Sequence, residues 1–323
     1  MNDKEKSKQV DRILSKLEPE FRQAFLTAVQ DIQSAVSLAE LERAINQGDY
    51  NSIFNDIDEL LEFGAFFAFT RAIQNTIQAG GDIAHLWAKQ DMGFLHRLLV
   101  TENITANLIT SYQSTRIREI SDSIKGSIQR AVMQGYYANK SPKQIARSIK
   151  KMIGITYKQQ VYIDNYEKEL REGSAEALER KLRDKRYDRA VTGAISGKKK
   201  LTEKQIENIV TKYREKFVIH RAEVIARTES IRLFNIGQRE YWEQAQRSGK
   251  IYRDNIKRFW IPTYDGKLRE AHRSIPIMNK EGVGFDEPFS SPLGNIMFPG
   301  DPNATAGNTV NCRCSLRHEI VGG

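Results

Sequence analysis

Residues 11–36 read DRILSKLEPEFRQAFLTAVQDIQSAV, and this stretch sets the pattern for most of the chain. Apolar side chains recur there in steps of three and four, which is the period of one face of an α-helix. They are Ile13, Leu14, Leu17, Phe21, Phe25, Val29, Ile32 and Val36. Pro19 interrupts this stripe, so we expect a short first helix to end near it or the next helix to begin there.

Start signals mark two further helices. Ser141 followed by Pro142 is typical of a helix N-terminus, and the helix that it opens is expected to run towards Gly154. Thr202 with Gln205 three residues later resembles a capping box, which predicts another helix start.

Between the N-terminal stripe and these helix starts, apolar residues recur with the helical period. Apolar residues crowd positions 53–77, which predicts a helix buried between neighbours and ending at Gly80-Gly81. A longer pattern of the same period covers residues 92–137. The first half of the chain is therefore expected to be helical.

The character of the sequence changes after about residue 249. Bulky residues alternate from Ile251 to Pro262, which predicts a β-strand, and the segment from Cys312 to Ile320 is expected to pair as a strand. We therefore predict a mainly α protein with a small α+β, loop-rich C-terminal module. The predicted regions are an N-terminal helical region (1–115), a basic helical region (116–218) and the C-terminal module (219–323).

Composition restricts the class of protein. Two cysteines in a 37.0 kDa chain of 323 residues fit a protein of a reducing compartment. Residues 1–6 are charged and are followed by no apolar segment typical of a secretory signal. Even the most apolar run is too short to span a bilayer. The sequence predicts a soluble intracellular protein that has no membrane partner in its folded state.

The net charge of +9 is unevenly distributed. Residues 1–62 carry 7 Lys/Arg against 13 Asp/Glu, whereas residues 116–151 carry 9 Lys/Arg against 2 Asp/Glu. A second basic stretch covers residues 180–221. This pattern favours contact with nucleic acid through phosphates, without sequence specificity, although solvated helix faces give the same pattern. The candidate DNA contacts are Arg147, Lys150, Lys151, Lys198, Lys199 and Lys200.

The cysteines Cys312 and Cys314 are one residue apart. In a strand their side chains point to opposite faces, which strains any disulfide between them. With His272, His318 or Asp265 they could provide zinc ligands. The paired C-x2-C spacing of most zinc sites is missing, which favours cysteines that pack inside a short strand pair. No cofactor is predicted, and zinc at His272, Cys312 and Cys314 stays an open alternative.

Asp265, Arg269 and His272 recur at steps of four and three, so on a helix they share one face. Such a cluster either fixes a fold through charge-assisted bonds or serves acid–base or metal chemistry. The sequence lacks a nucleophile pattern, a phosphate loop and a clear carboxylate pair. We therefore predict no catalytic residues and no enzyme. Farther upstream, Arg227 and Glu229 are expected to stabilise a surface or a domain interface.

Four segments carry a resemblance when they are taken in order: 138–146 (ANKSPKQIA), 221–237 with its Ile-Ala-Arg-Thr-Glu, 260–272 and the closing 311–314 (NCRC). Together they resemble the phage head morphogenesis proteins, the Mu F-like minor head proteins of tailed bacteriophages and prophages. The resemblance covers about residues 120–320, and Asn139 stands where a glycine is commoner. The signature residues are Arg227, Thr228, Glu229, Asp265, Arg269, His272, Asn311, Cys312, Arg313 and Cys314.

The resemblance implies a low-copy, non-enzymatic minor head protein of the virion. Such a protein enters the capsid interior with the portal protein during assembly in the host cytoplasm, contacts packaged double-stranded DNA and aids packaging or ejection. It also implies that Asp265, His272, Cys312 and Cys314 form the scaffold of the terminal module. The alternative is a metal-dependent nuclease or effector enzyme that uses the same four residues. A fusion to an added effector domain is disfavoured, because the chain ends within ten residues of Cys314.

Overall fold

The computed structural model describes residues 1–60, 66–98 and 102–321, which are mainly helical. The helices are α1 (Asp3–Ala35), α2 (Leu38–Gln47), α3 (Tyr50–Leu60), α4 (Phe66–Met92), α5 (Glu102–Tyr137), α6 (Pro142–Met152), α7 (Tyr157–Glu172), α8 (Asp188–Ile195), α9 (Glu203–Arg247), α10 (Glu270–Met278) and α11 (Ala306–Thr309). The strands are β1 (Ile256–Ile261), β2 (Val283–Gly284) and β3 (Ser315–Ile320). The predicted fold class is confirmed. Within the described ranges, no helix combines the length and apolarity needed to cross a membrane.

The three strands form one antiparallel sheet in the order β2-β1-β3. Strand β1 lies within the segment predicted from alternation, and it pairs along its whole length with β3. In this register Trp260 lies opposite Leu316, and Ile261 lies opposite Ser315. The strand predicted over the last residues of the module is confirmed from Ser315 onwards.

The chain divides into two compact units that are not the predicted sequential regions. Unit 1 contains Met1–Gln23, Ala68–Tyr112 and Glu223–Gly323. Unit 2 contains Ala24–Phe67 and Gln113–Ala222. The predicted region 1–115 is therefore split between the units, because segments far apart in sequence associate through their apolar faces. Changes in composition along the chain do not reveal which distant segments associate.

Unit 1 is built around the packing of α1, α4 and α9. Val10 and Leu14 of α1 pack with Ile83 of α4 and with Ile231 and Phe234 of α9, and all five side chains are buried. Each such side chain contributes about 1.5–3 kcal/mol relative to leaving it in water. The N-terminal stripe of the sequence therefore buries its first turns in the same unit as the C-terminal module.

Glycines bring α4 and α9 into backbone contact. A Cβ atom at Gly80 would overlap the carbonyl oxygen of Phe234, and one at Gly237 would overlap the carbonyl oxygen of Ile77. The expectation that Gly80-Gly81 ends a helix is wrong, since α4 continues to Met92. Tertiary contact offsets the cost of about 1 kcal/mol that an interior glycine carries relative to alanine.

Two other helix boundaries differ from expectation. Helix α1 runs unbroken through Pro19, where a helix end was expected. The neighbouring Leu14 and Phe21 are both buried, so packing on either side holds the helix together at the proline. The pattern over 92–137 is not one helix, because α4 ends at Met92 and residues 93–98 are not helical. Helix α5 begins after residues that lie outside the described ranges.

The two predicted helix starts are confirmed. The Ser141 hydroxyl accepts a hydrogen bond from the Gln144 backbone N–H, and the Gln144 side chain accepts one from Ser141 N–H, with Pro142 at the first position of α6. Thr202 and Gln205 form the same reciprocal pair at the start of α9. Capping boxes are local in sequence, and this is why sequence alone located them.

Candidate functional site

A cluster of one histidine and two cysteines lies inside unit 1. The Nδ1 atom of His272 is 3.6 Å from Sγ of Cys312 and 3.5 Å from Sγ of Cys314. One ligand atom from each residue lies within 4.8 Å of the others, and all three side chains are buried. Helix α10 carries the histidine, and the segment between α11 and β3 carries both thiols.

The convergence of the thiols corrects the expectation of a strand-like C-x-C. Cys312 and Cys314 precede β3 and adopt no regular secondary structure, so they do not alternate between two faces. Asn311 adopts a φ of 57°, in the left-handed region, immediately before them. Its backbone N–H donates to the Oγ1 atom of Thr228 on α9 at 3.1 Å. This turn and its anchor bring both sulfur atoms to the same imidazole.

The two thiols differ in acidity. Desolvation disfavours a thiolate at Cys314, but hydrogen bonds from Cys312 and His272 outweigh it and lower the pKa of Cys314 to about 5. The hydrogen bond to Cys314, followed by burial, raises the pKa of Cys312 well above its usual value. The pair therefore favours a single thiolate at neutral pH, shared with the imidazole.

The walls around the cluster are aromatic on one side and cationic on the other. The ring of Trp260 packs edge-on against His272, with centroids 5.6 Å apart, and also contacts Phe289. A cavity of about 200 Å³ adjoins the cluster. Among the described residues, Oδ1 of Asn311 and Nε2 of His272 are buried without a hydrogen-bond partner. The cationic residues that line the cavity are Arg227, Lys267, Arg269 and Arg313.

Other sequence candidates for this cluster are placed differently. Asp265 and Arg269 precede α10, which begins at Glu270, so the expected helix face shared with His272 does not exist. The Asp265 carboxylate pairs instead with Arg313 at 3.2 Å, and the Arg269 guanidinium donates to the Val310 carbonyl. The Gly and Pro turns of the module end the helical period that the 4-and-3 spacing suggested.

His318, a candidate zinc ligand in the sequence, lies apart from the cysteines. It sits on β3, where its ring is 5.5 Å from the ring of Trp242 and 6.4 Å from that of Phe285. Burial lowers the pKa of His318 well below its usual value, and nearby Arg258 adds to this effect. His318 is therefore a neutral core residue of the module.

The Arg227-Thr228-Glu229 segment is buried over its last two residues, and this corrects the expectation of a surface position. Glu229 pairs with Arg232 at 3.0 Å, and Arg232 also donates to the carbonyl of Gly300 at 2.6 Å. Burial raises the pKa of Glu229 to about 8. The amide of Asn235 donates to the carbonyl of Pro299 at 3.1 Å.

Sequence reasoning missed the role of Arg232 in this arrangement. Arg232 and Asn235 hold the Pro299-Gly300 turn on α9, and Gly300 has a φ of 87° with the Arg232 backbone against it. The i, i+3 spacing of Glu229 and Arg232 was a visible signal, but it equally suits an exposed ion pair. Only the turn that covers it makes the pair buried.

A second candidate site is a basic and aromatic surface in unit 2, at the end of α5 and on α6. Gly135 of α5 lies against Ile145 of α6, where a Cβ atom would overlap the isoleucine side chain, so the two helices are closely packed. Tyr137 is 85% exposed, and the Tyr136 hydroxyl reaches the Ile45 carbonyl. We call this the α5–α6 surface, and its exposed residues are Met133, Tyr136, Tyr137, Lys140, Lys143 and Arg147.

The turn between these helices places Asn139 in a left-handed backbone conformation. Asn139 has a φ of 50°. The N–H of Asn139 donates to Tyr136 and that of Lys140 to Gly135, which is the hydrogen-bond pattern of a Schellman motif. This position favours glycine, and asparagine is among the other residues that tolerate it best. Asn139 therefore preserves the turn.

The remaining DNA-contact candidates differ in whether a protein group already contacts their charge. Lys150 donates to the Val36 carbonyl at 3.2 Å, and Lys151 lies 3.7 Å from Glu207. In the 180–221 stretch some charges are paired, as Arg183 is with Asp188. Others are exposed, among them Lys181 and Arg189, as well as the loop after α8, which carries Lys198, Lys199 and Lys200. The interpretation of this stretch as a phosphate-binding face stays a prediction.

A larger cavity, of about 970 Å³, lies in unit 2 among α1, α2 and α3. Its charged lining residues are mainly acidic, with Asp31, Glu40, Asp49 and Asp56 among them. It includes none of the histidines or cysteines of the chain, so its size alone does not make it a reactive site. The chemistry of this protein concentrates instead in the smaller, thiol-bearing cavity.

Comparison of the chain with protein-family models, with curated proteins and with solved structures found no match.

Proposed function

We propose that this protein is a minor head protein of a tailed bacteriophage or prophage, carried in the capsid interior at the portal protein. The support is that three of the signature segments, which are far apart in sequence, bond to one another. Thr228 and Asn311 are 83 residues apart and share a hydrogen bond. Asp265 and Arg313, 48 residues apart, form an ion pair. Contacts of this kind among the central and closing segments are expected of a shared folding module.

Double-stranded DNA is the partner that we propose for the α5–α6 surface. Lys143 and Arg147 are exposed one turn apart on α6, so their charges point to the same side. The exposed Tyr137 beside them supplies a hydroxyl that can donate to a phosphate oxygen. Contacts of this kind neutralise phosphates without reading bases, so binding is independent of sequence and steeply dependent on salt.

The thiol-bearing cavity favours a structural role over a Mg²⁺-dependent nuclease. Mg²⁺ prefers carboxylate and water oxygens as its ligands. Here the Asp265 carboxylate pairs with Arg313, and the convergent ligand atoms are two sulfurs and one imidazole nitrogen. Thiolates and imidazole suit zinc better than Mg²⁺. We therefore propose a protein that is not an enzyme.

DNA binding by the full-length chain tests the surface. Affinity for two duplexes of unrelated sequence is measured at several salt concentrations, for the wild type and for Lys143→Glu/Arg147→Glu. We expect equal affinity for both duplexes and a salt slope that falls by about 2 in the variant. The matched control is Lys8→Glu/Arg12→Glu, which changes the same residue types at the same spacing on an exposed face of α1.

Two results contradict the DNA proposal. One is a wild-type protein that binds neither duplex at low salt. The other is an equal loss of binding in the α6 variant and the α1 control, because net charge alone then explains the affinity. The nuclease alternative has its own readout, which is cleavage of plasmid DNA in the presence of Zn²⁺ or Mg²⁺. Cleavage that disappears in His272→Ala would favour it.

A further inference from the structure

We propose that His272, Cys312 and Cys314 bind one zinc ion through three protein ligands. This inference does not rest on the proposed phage function, since it concerns only the buried cluster of unit 1. The ligand atoms are Nδ1 of the histidine and both Sγ atoms. Both sulfurs coordinate the ion as thiolates, and a proton still held by the pair is released to solvent.

The distances within the cluster are those of a zinc tetrahedron. Zinc binds sulfur at about 2.3 Å and imidazole nitrogen at about 2.0–2.1 Å, at angles near 109°. These values place a coordinating nitrogen about 3.6 Å from each coordinating sulfur. The observed separations from Nδ1 of His272 are 3.6 Å to Cys312 and 3.5 Å to Cys314. The two nitrogen–sulfur distances therefore already match those of a coordinated ion, and all three ligand atoms lie within 4.8 Å of one another.

The surrounding fold holds the ligands in place before any ion binds. His272 is fixed on α10, and its ring is packed against Trp260. The cysteine segment is tied to α9 by the Thr228–Asn311 hydrogen bond. The cluster is buried, so water competes poorly for the ion. Ligands held by their neighbours lose little conformational freedom on binding, which favours affinity.

The fourth coordination position opens into the cavity of about 200 Å³. Its volume exceeds the space of about 30 Å³ that one water molecule occupies in the liquid. The unpartnered Oδ1 atom of Asn311, which belongs to a residue lining the same cavity, is an acceptor for such a water. We therefore assign the fourth ligand to water, and the ion to a site with three protein ligands. Catalytic zinc sites share this arrangement, so the plasmid-cleavage assay with Zn²⁺ separates a structural ion from a catalytic one.

Metal content of the full-length protein, purified from zinc-supplemented cells, tests this assignment. We expect about one zinc ion per chain in the wild type and less than about a tenth of that in His272→Gln. The matched control is His318→Gln, which replaces another buried histidine of the same module and leaves the cluster intact. This control is expected to retain its zinc.

Cobalt provides a readout that does not depend on a variant folding. Wild-type protein stripped of metal and given Co²⁺ is expected to develop thiolate-to-cobalt charge-transfer bands and the visible bands of a tetrahedral site. Both cysteines, the only thiols in the chain, are expected to resist alkylation until a chelator is added. A wild type that holds no zinc and shows no cobalt–thiolate bands would overturn the proposal.

Discussion

The Thr228 hydroxyl accepts a hydrogen bond from the backbone N–H of Asn311 at 3.1 Å and donates one to the Val224 carbonyl at 2.8 Å. One side chain on α9 thereby fixes the segment that carries both cysteines. Because Asn311 has a left-handed φ, this bond holds a backbone conformation that few residues adopt readily. This hydrogen bond thus joins the Thr228 segment of α9 to the segment that carries the cysteines.

Replacing Thr228 with valine is expected to destabilise unit 1 by about 1–3 kcal/mol, because the Asn311 N–H loses its acceptor. Thr228→Ser keeps the hydroxyl and is the matched control, with a smaller loss that reflects the missing methyl group. Denaturant unfolding followed by circular dichroism measures both. If the two variants lose equal stability, the hydrogen bond does not account for the role of Thr228.

Alanine at Gly80 or Gly237 is expected to separate α4 from α9, because the new Cβ atom overlaps a carbonyl oxygen of the facing helix. Overpacking of this kind costs about 1–3 kcal/mol. Gly126, on α5, has no atom within 4 Å of its Cβ position and serves as the control. Gly126→Ala is expected to gain up to about 1 kcal/mol from helix propensity. Thermal unfolding of the three variants shows which of them lose stability and which gain it. A more stable Gly237→Ala variant would contradict the close approach of α4 and α9.

Features set by neighbouring residues were predictable from the sequence. The capping pairs at Ser141 and Thr202 and the strand within 251–262 depend on residues a few positions apart, and all were confirmed. Pro19 and Gly80 were interpreted by their local preference, yet both lie inside helices. There the packing of distant segments outweighs that preference.

The candidate site was only partly predictable for the same reason. The residue types of the thiol cluster were visible in the sequence, and the interpretation of buried packing described their environment correctly. The convergence of Cys312 and Cys314 was not visible, because it depends on the φ of Asn311 and on a bond to Thr228. No local pattern encodes a contact over that separation.

Arg232→Met is expected to cost about 1–3 kcal/mol, because it removes a hydrogen-bond donor to the buried Glu229 side chain. It also removes the donor to the Gly300 carbonyl. The double variant Glu229→Leu/Arg232→Met removes both polar groups and is expected to recover part of the loss. Urea unfolding of the single and double variants gives the comparison. A double variant less stable than the sum of both single losses would contradict a paired role.

Acid is expected to weaken the contact of Asp286 with Arg239 and Arg253. Hydrogen bonds from Arg253, followed by those from Arg239, lower the pKa of Asp286 below the usual value of an aspartate side chain. A depressed carboxyl pKa contributes stability above about pH 4, and this contribution is lost as the pH falls further. The side chain is 52% exposed, so the effect is below about 1 kcal/mol.

The matched variant for this contact is Asp286→Asn, which removes the ionisable group and keeps its shape. Urea midpoints at pH 7 and pH 3 are expected to differ less for this variant than for the wild type. An equal difference in both proteins would show that other carboxyls account for the acid sensitivity.

The location of the protein during assembly tests the proposed minor head function most directly. Particles from a host that carries this chain with its own head genes are purified, treated with protease while intact and again after opening, and crosslinked before the protein is quantified. The account predicts a few copies per particle, protected from protease until the capsid is opened and crosslinked to the portal ring. A protein absent from purified particles, or digested on intact ones, would contradict it.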